Sequence, residues 1–238
     1  MIPKYNENVN PAALRLLEQH IKATQQNKLC TILEYGCNTG AFGAHILSKY
    51  SSYDLSWTGL DVNQRSLEIA KNRLSFVKQA DLNLISVKQL KDTTQNTPEI
   101  IIMIDVLEHL VDPHKLLFKT LSAFPTSKCI VVLPNIGCLS ILQMLAMNEF
   151  EYQESGILDN THLKHFTSIS AKRMFNSTGY NIEIGPLWLF EPEFAHLSET
   201  VENYPHQIKS NNISISVTNQ ESLFSLISYG HAYSITPQ

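Results

Sequence analysis

The stretch Ile32-Leu33-Glu34-Tyr35-Gly36-Cys37-Asn38-Thr39-Gly40-Ala41-Phe42-Gly43 decides how the remainder of the chain is read. It runs from a short apolar strand through a glycine-rich turn into the start of a helix. Such a corner binds ligands, because glycine permits positive φ and close approach, and a helix N-terminus offers unpaired N–H groups. Glu34 places a carboxylate at the strand's end. The spacing Gly36-x-x-x-Gly40-x-x-Gly43 is not the G-x-G-x-x-G of a dinucleotide turn, and no Lys-Ser or Lys-Thr follows Gly40 as a phosphate loop requires. Asn38 stands where a further glycine is expected, and Asn accepts left-handed backbone better than other non-glycine residues.

The segment resembles motif I of the class I S-adenosylmethionine (SAM) methyltransferases, E-x-G-C-G-x-G-x-x-G. The resemblance implies that Glu34, Gly36, Cys37, Asn38 and Gly40 surround the methionine half of SAM. It also implies a doubly wound, seven-stranded, mostly parallel α/β sheet of Rossmann-like type, with an antiparallel last strand and a lid inserted after the fifth strand.

Working outward, Leu55 to Asp61 reads as a second strand ending on an acid about twenty residues past the turn. In a doubly wound sheet an acid there accepts hydrogen bonds from a ribose diol, and the resemblance assigns Asp61, with Val62, to that role. A helix N-cap is the other reading of Asp61. Phe76 to Leu82 reads as a third strand running into Asp81. The family's counterparts contact the adenine, which implies that role for Asp81 and Leu82; an exposed turn acid is the alternative.

Ile100-Ile101-Ile102-Met103-Ile104 is apolar without a break, as suits a central parallel strand buried on both faces. It leads into Asp105-Val106-Leu107-Glu108-His109-Leu110-Val111-Asp112-Pro113. This stretch resembles the D-V-L-E-H-L-x-D-P signature of small-molecule SAM methyltransferases, among them the ubiquinone-biosynthesis O-methyltransferases. It implies cofactor contacts at Asp105 and Val106 and sets His109 near the transferred methyl. Some relatives hold a divalent cation with an acid-x-x-Glu-His set, and Asp105, Glu108 and His109 match that spacing. No metal is predicted, the commoner role for Glu108 and His109 in such a position being to cap and orient the following helix.

Lys128 to Leu133 reads as a fifth strand, followed by an apolar helix over 136–151. Gly156 to Thr167 (GILDNTHLKHFT) resembles a G-x-L-D-x-T-H-L-[RK]-x-F-T segment of the same group. With residues 136–167 as a lid and acceptor pocket, His162 is the first candidate for a general base, and His165 and His109 follow it. The other reading makes Asp159 and Thr161 a turn and Thr167 the cap of a helix over 168–177. Residues 179–184 read as a sixth strand. A helix is expected near 193–202, and Leu223 to Ile235 reads as a last strand, which the resemblance implies lies antiparallel between the fifth and sixth.

At the other end of the chain, Asn10-Pro11 starts an amphipathic helix over 11–26, with Leu14, Leu17 and Ile21 in one stripe. The 238 residues suit a single domain with this N-terminal helix in 1–27. A net charge of −4 argues against a nucleic-acid partner. No apolar run is long enough to span a bilayer. Four cysteines without a C-x-x-C pair point to a reduced, cytoplasmic core, and the N-terminus lacks a signal-peptide core.

The expected activity is therefore transfer of a methyl group from SAM to a small-molecule acceptor, with a hydroxyl oxygen favoured. The competing readings are a non-catalytic SAM-fold binding protein and an NAD-dependent oxidoreductase.

Overall fold

A computed structural model describes residues 9–23, 28–210 and 213–238. The expected end of the first helix, 24–26, and the N-terminal residues read for a signal peptide lie outside the described residues.

The chain alternates strands and helices: α1 (Pro11–Ala23), β1 (Cys30–Tyr35), α2 (Ala41–Lys49), β2 (Leu55–Asp61), α3 (Gln64–Ala70), β3 (Phe76–Gln79), α4 (Val87–Lys91) and β4 (Ile100–Ile104). A single 3-10 turn (Leu107–His109), α5 (Pro113–Ala123), β5 (Lys128–Pro134), α6 (Leu139–Ala146), α7 (Ser168–Ser177) and β6 (Tyr180–Phe190) follow. The last elements are α8 (Leu197–Thr200), β7 (His206–Ser210), β8 (Ile213–Val217), α9 (Gln220–Leu226) and β9 (Ser228–Pro237).

Seven strands form one sheet in the order β3-β2-β1-β4-β5-β9-β6. The first five pair in parallel, and β9 inserts antiparallel between β5 and β6. The chain therefore has the doubly wound, seven-stranded, mostly parallel Rossmann-like sheet expected from the sequence. The order reverses between β1 and β4, the switch point where such sheets open a crevice beyond their carboxyl ends.

Alternation along the central strands feeds two cores. Leu33, Tyr35, Ile101 and Met103 face one side and pack with α5 and α7, through residues such as Leu117 and Phe175. Ile32, Ile100 and Ile102 face the other side, with Leu17 and Ile21 of α1 and Trp57 of β2. Both faces of β4 are thus covered, which is why its sequence is an unbroken apolar run. Full burial of each such side chain is worth about 1.5–3 kcal/mol.

Several boundaries differ from expectation. The strand expected over 223–235 is split. Asn219 accepts from the Ser222 N–H in a capping box, so Gln220–Leu226 is helical and β9 starts only at Ser228. The helix expected over 136–151 is limited to Leu139–Ala146, and Asn148 beyond it adopts φ 60°. β6 continues past 184 to Phe190 by way of register shifts beside β9. The helix expected near 193–202 is one turn, α8. The hairpin β7–β8 has no counterpart in the sequence reading. Its Ile208 and Val217 join Leu139, Val201, Leu223, Leu226 and Ile227 in a separate apolar cluster.

Candidate active site

The turn after β1 has the conformation its composition requires. Gly36 and Gly40 adopt φ 67° and 74°, and Asn38 takes the left-handed region at φ 47°. A Cβ on Gly36 would meet Val106 Cγ2 at 2.7 Å, so the turn lies directly against the segment after β4. Cys37 turns its thiol inward against Gly59, and its Sγ lies 3.7 Å from the Asn38 carbonyl.

Glu34 is buried, and its Oε2 accepts from Trp57 Nε1–H at 2.8 Å. Burial pushes its carboxyl up to about 8, Asp61 adds to the rise, and the Trp57 bond opposes it. Asp61 accepts from two backbone amides, Asn38 N–H and Asn63 N–H, each at 2.8 Å. It does not cap α3; Asn63 does, accepting from Arg65 and Ser66. Its carboxylate therefore bridges the turn after β1 and the tip of β2, with lone pairs left over. Val62 beside it is exposed. Asp81 is exposed after β3 and accepts from Asn83 N–H at 2.9 Å, while Leu82 packs against the core.

Beyond β4 and β5 a cavity of about 170 Å³ opens. Asp105, Glu108 and His109 line it from the segment after β4, and Asp159 and His162 from the segment before α7. Tyr229 closes it from β9 and Asn10 from the start of α1. Asp105 adopts φ 51°, an uncommon conformation for a non-glycine residue and a costly one to hold. It is solvent-accessible, yet the concavity crowds it enough that desolvation raises its carboxyl to about 6. A larger, open depression of about 370 Å³ on the outside of α5, around Phe118 and Lys119, holds none of the strand-end groups.

Glu108 is fully buried, and neither carboxylate oxygen has a hydrogen-bond partner among the described residues. Burial, then the nearby Asp105 and Asp159, hold its carboxyl well above the usual range. Its side chain does not cap α5; Asp112 does, accepting from Lys115 N–H. The Glu108 carbonyl accepts from Leu163 and Lys164 N–H, tying the segment before α7 to the 3-10 turn.

Two imidazoles face this carboxyl. His162 Nδ1 lies 3.0 Å from the Ile157 carbonyl, which can only accept, so the network assigns the proton to Nδ1 and leaves Nε2 bare. That Nε2 is 4.0 Å from Glu108 Oε1, and the side chain is 5% exposed. Burial depresses the imidazolium of His162, and His109 adds to this; the Ile157 bond and Asp159 oppose it. His109 Nδ1 lies 3.3 Å from the Thr161 carbonyl and 3.1 Å from Thr161 Oγ1. Thr161 in turn donates from its hydroxyl (2.6 Å) and its N–H (2.8 Å) to Asp159 Oδ1. Burial works to raise Asp159, but these Thr161 bonds outweigh it and the carboxylate ends below its ordinary range. The Asp159–Thr161–His109 chain thus sets the tautomer of His109 and aims its Nε2 away from Thr161.

The rings of His109 and His162 sit edge to face, 4.7 Å apart. His165 is 6.3 Å from His162, exposed, and not part of the cavity wall. Ligand atoms of Glu108, His109 and His162 lie within 4.8 Å of one another and could hold a divalent cation. In this set His162, rather than Asp105, joins Glu108 and His109. Chemically, the cavity offers a bare imidazole nitrogen for proton removal beside a buried carboxyl.

Sequence reading missed Asn10 and Tyr229 as wall residues and Asp159 and Thr161 as supports for His109. Asn10 carried only the signal of a helix cap, which it also is, accepting from Ala12 and Ala13 N–H. Tyr229 sits near the start of a mostly buried strand and carried no distinguishing signal.

A family described as a methyltransferase domain matches residues 5–183. Among curated proteins, the ubiquinone biosynthesis O-methyltransferase of Idiomarina loihiensis is 26% identical over 106 residues, which is 44% of this chain and 41% of that protein. The chain therefore matches less than half the length of this relative. Among solved structures, a SAM-dependent methyltransferase from Anabaena variabilis superposes with a TM-score of 0.59 at 13% identity, covering 98% of this chain and 86% of its own. One from Archaeoglobus fulgidus superposes at 0.56 with 17% identity, covering 94% and 91%. At these identities the superpositions establish the fold.

Proposed function

The chain belongs to the methyltransferase-domain family, and from that premise we propose that it transfers the methyl group of SAM to a hydroxyl oxygen of a small-molecule acceptor. One observation carries the reading. The glycine turn, the bridging Asp61 and the His109–His162 cavity all converge beyond the carboxyl ends of β1, β2, β4 and β5, at the switch point of the sheet.

The residues present fit SAM. The turn has the left-handed backbone that lets a ligand approach, and a Cβ at Gly36 has no room. Glu34 is a buried carboxyl whose charge lacks a cationic partner, so an amino group beside it would relieve the cost. Asp61 suits a ribose diol, and Asp81 with Leu82 an adenine edge. When bound, SAM supplies an electrophilic methyl group on its sulfonium. The chain's part is alignment and proton removal. The turn and Asp61 orient the donor, and Asp105 and Val106 close its side of the crevice. His162 Nε2 takes the acceptor's hydroxyl proton as the oxygen attacks, with His109 and His165 behind it as candidates. Residues 136–167 serve as a lid that excludes water. We take residues 1–238 as one catalytic domain.

The four cysteines are buried free thiols, which supports a reducing, cytoplasmic setting. Among the described residues, no helix is long and apolar enough to cross a membrane.

Calorimetric titration with S-adenosylhomocysteine, with NAD as control, tests the cofactor. Micromolar binding of the former alone is expected, followed by methyl transfer in a screen of hydroxylated acceptors with and without magnesium. Binding of neither compound would refute the reading. Binding without turnover on any acceptor would favour a non-catalytic SAM-binding role.

A further inference from the structure

A second group of metal-ligating side chains lies at the opposite end of the sheet from the cavity. His20 on α1, Cys30 at the start of β1 and Glu99 just before β4 bring an imidazole nitrogen, a thiol sulfur and a carboxylate oxygen within 4.8 Å of one another. His20 Nε2 is 3.7 Å from Glu99 Oε2.

The backbone beneath these groups is held firmly. Cys30 N–H donates to the Asp54 carbonyl at 2.8 Å. Glu99 N–H donates to the Thr31 carbonyl at 2.8 Å, and its own carbonyl accepts from Lys128 N–H at 3.0 Å. Glu99 is thus fixed between β1 and β5. His20 is carried by α1, whose Leu16, Leu17 and Ile21 are buried against the sheet. Three different donor types thus converge from α1, β1 and the segment before β4.

We propose that His20, Cys30 and Glu99 form a binding site for a divalent ion of the zinc type, separate from the methyl-transfer site. The donor chemistry selects the ion: a thiolate with an imidazole suits a borderline-soft metal and disfavours magnesium or calcium, which take oxygen ligands. Three protein ligands leave a fourth, tetrahedral position for water. It falls on the open side, where the side chains of His20 and Glu99 are 23% and 29% exposed. Binding deprotonates Cys30, and the proton leaves to solvent.

The surrounding charges set the competition. Lys28 Nζ is 3.4 Å from Glu99 Oε1 and contends with the ion for that carboxylate. Lys128 and Glu183 face the same end of the sheet and are paired with each other at 2.6 Å. The consequence is mechanical. An ion here fastens the C-terminal part of α1 to β1 and β4, and the N-terminal cap of the same helix, Asn10, forms part of the cavity wall.

Titration of metal-free protein with Co(II) tests the site without any reference to turnover or SAM. One equivalent should develop an intense near-ultraviolet sulfur-to-cobalt absorption with tetrahedral visible bands, and Zn(II) should abolish both. The Glu108–His109–His162 trio contains no sulfur and cannot produce the near-ultraviolet band. Cys30→Ser should remove that band. His20→Ala should weaken binding by more than about tenfold, as loss of one of three protein ligands requires. Lys28→Ala, a change at an exposed position, should tighten binding by freeing Glu99. Circular dichroism establishes that each variant is folded. Absence of the sulfur band in the wild-type protein, its persistence in folded Cys30→Ser, or weaker binding by Lys28→Ala would each overturn the proposal.

Discussion

Asn38 shows how a single residue departs from a glycine pattern without breaking the turn. Asn adopts the left-handed region at modest cost, and its N–H donates to Asp61, the residue that links the first two strand tips. Asp61→Ala should weaken S-adenosylhomocysteine binding by more than about tenfold, the equivalent of 1.4 kcal/mol or more; calorimetry at wild-type affinity would refute the ribose role. His162→Ala should lower kcat by roughly 10²–10⁴-fold, as loss of a general base does, with cofactor affinity little changed. Unchanged turnover would remove His162 from the mechanism. Because burial lowers the His162 pKa from its ordinary 6.5, the base stays neutral further into acid than free imidazole. Rate profiles should therefore fall only below pH 6.5, though Asp105, Glu108, His109, Asp159 and His165 share the environment. Glu34 gives a stability prediction. Its folded pKa of about 8 exceeds the ordinary 4.5, so between those values the native state binds more protons than the unfolded chain and stability falls as pH rises. From pH 6 to 8 the loss should be about 2 kcal/mol. Glu34→Gln keeps an acceptor for Trp57, and its denaturant midpoint should show a flatter pH dependence.

At the level of elements, packing and caps decide what local pattern leaves open. α2 lies close over β2 because residue 43 is glycine: a Cβ there would sit 2.7 Å from the Trp57 ring and 2.5 Å from Leu74. Gly43→Ala should cost about 1–3 kcal/mol by overpacking, read as a lower urea midpoint with unchanged slope. Within the run 223–235, Leu223 to Leu226 form helix rather than strand, because Leu and Phe suit either state over so few residues. The Asn219 capping box resolves it, and Asn219→Ala should cost about 1 kcal/mol. Likewise the apolar run after β5 satisfies a helix longer than the eight residues that form one. The chain turns away at Asn148, and the segment beyond it must return to bond the Glu108 carbonyl.

Over the whole molecule, the central sheet and its two cores form the rigid frame, and the segment between α6 and α7, which forms no helix or strand, is tied to it through the Glu108 carbonyl bonds, the Thr161–His109 contact and a bridge at Asn135–Phe166. Amide exchange should therefore be slowest in β1, β4 and β5 and fastest in 147–161, and should slow in that segment when S-adenosylhomocysteine and acceptor are both present. Equal protection with and without ligands would argue against a lid. By itself the sequence determined the strands of the parallel core and which turns lie at the ligand-binding edge. These follow from local properties: apolar runs, glycines, and acids at strand ends. The union of Glu108, His109 and His162, the support of His109 by Asp159 through Thr161, the wall contributions of Asn10 and Tyr229, and the convergence of His20, Cys30 and Glu99 were decided only by tertiary structure. Each joins residues tens of positions or more apart, and no periodicity in a chain encodes a contact made by the closing of a sheet and the return of a loop.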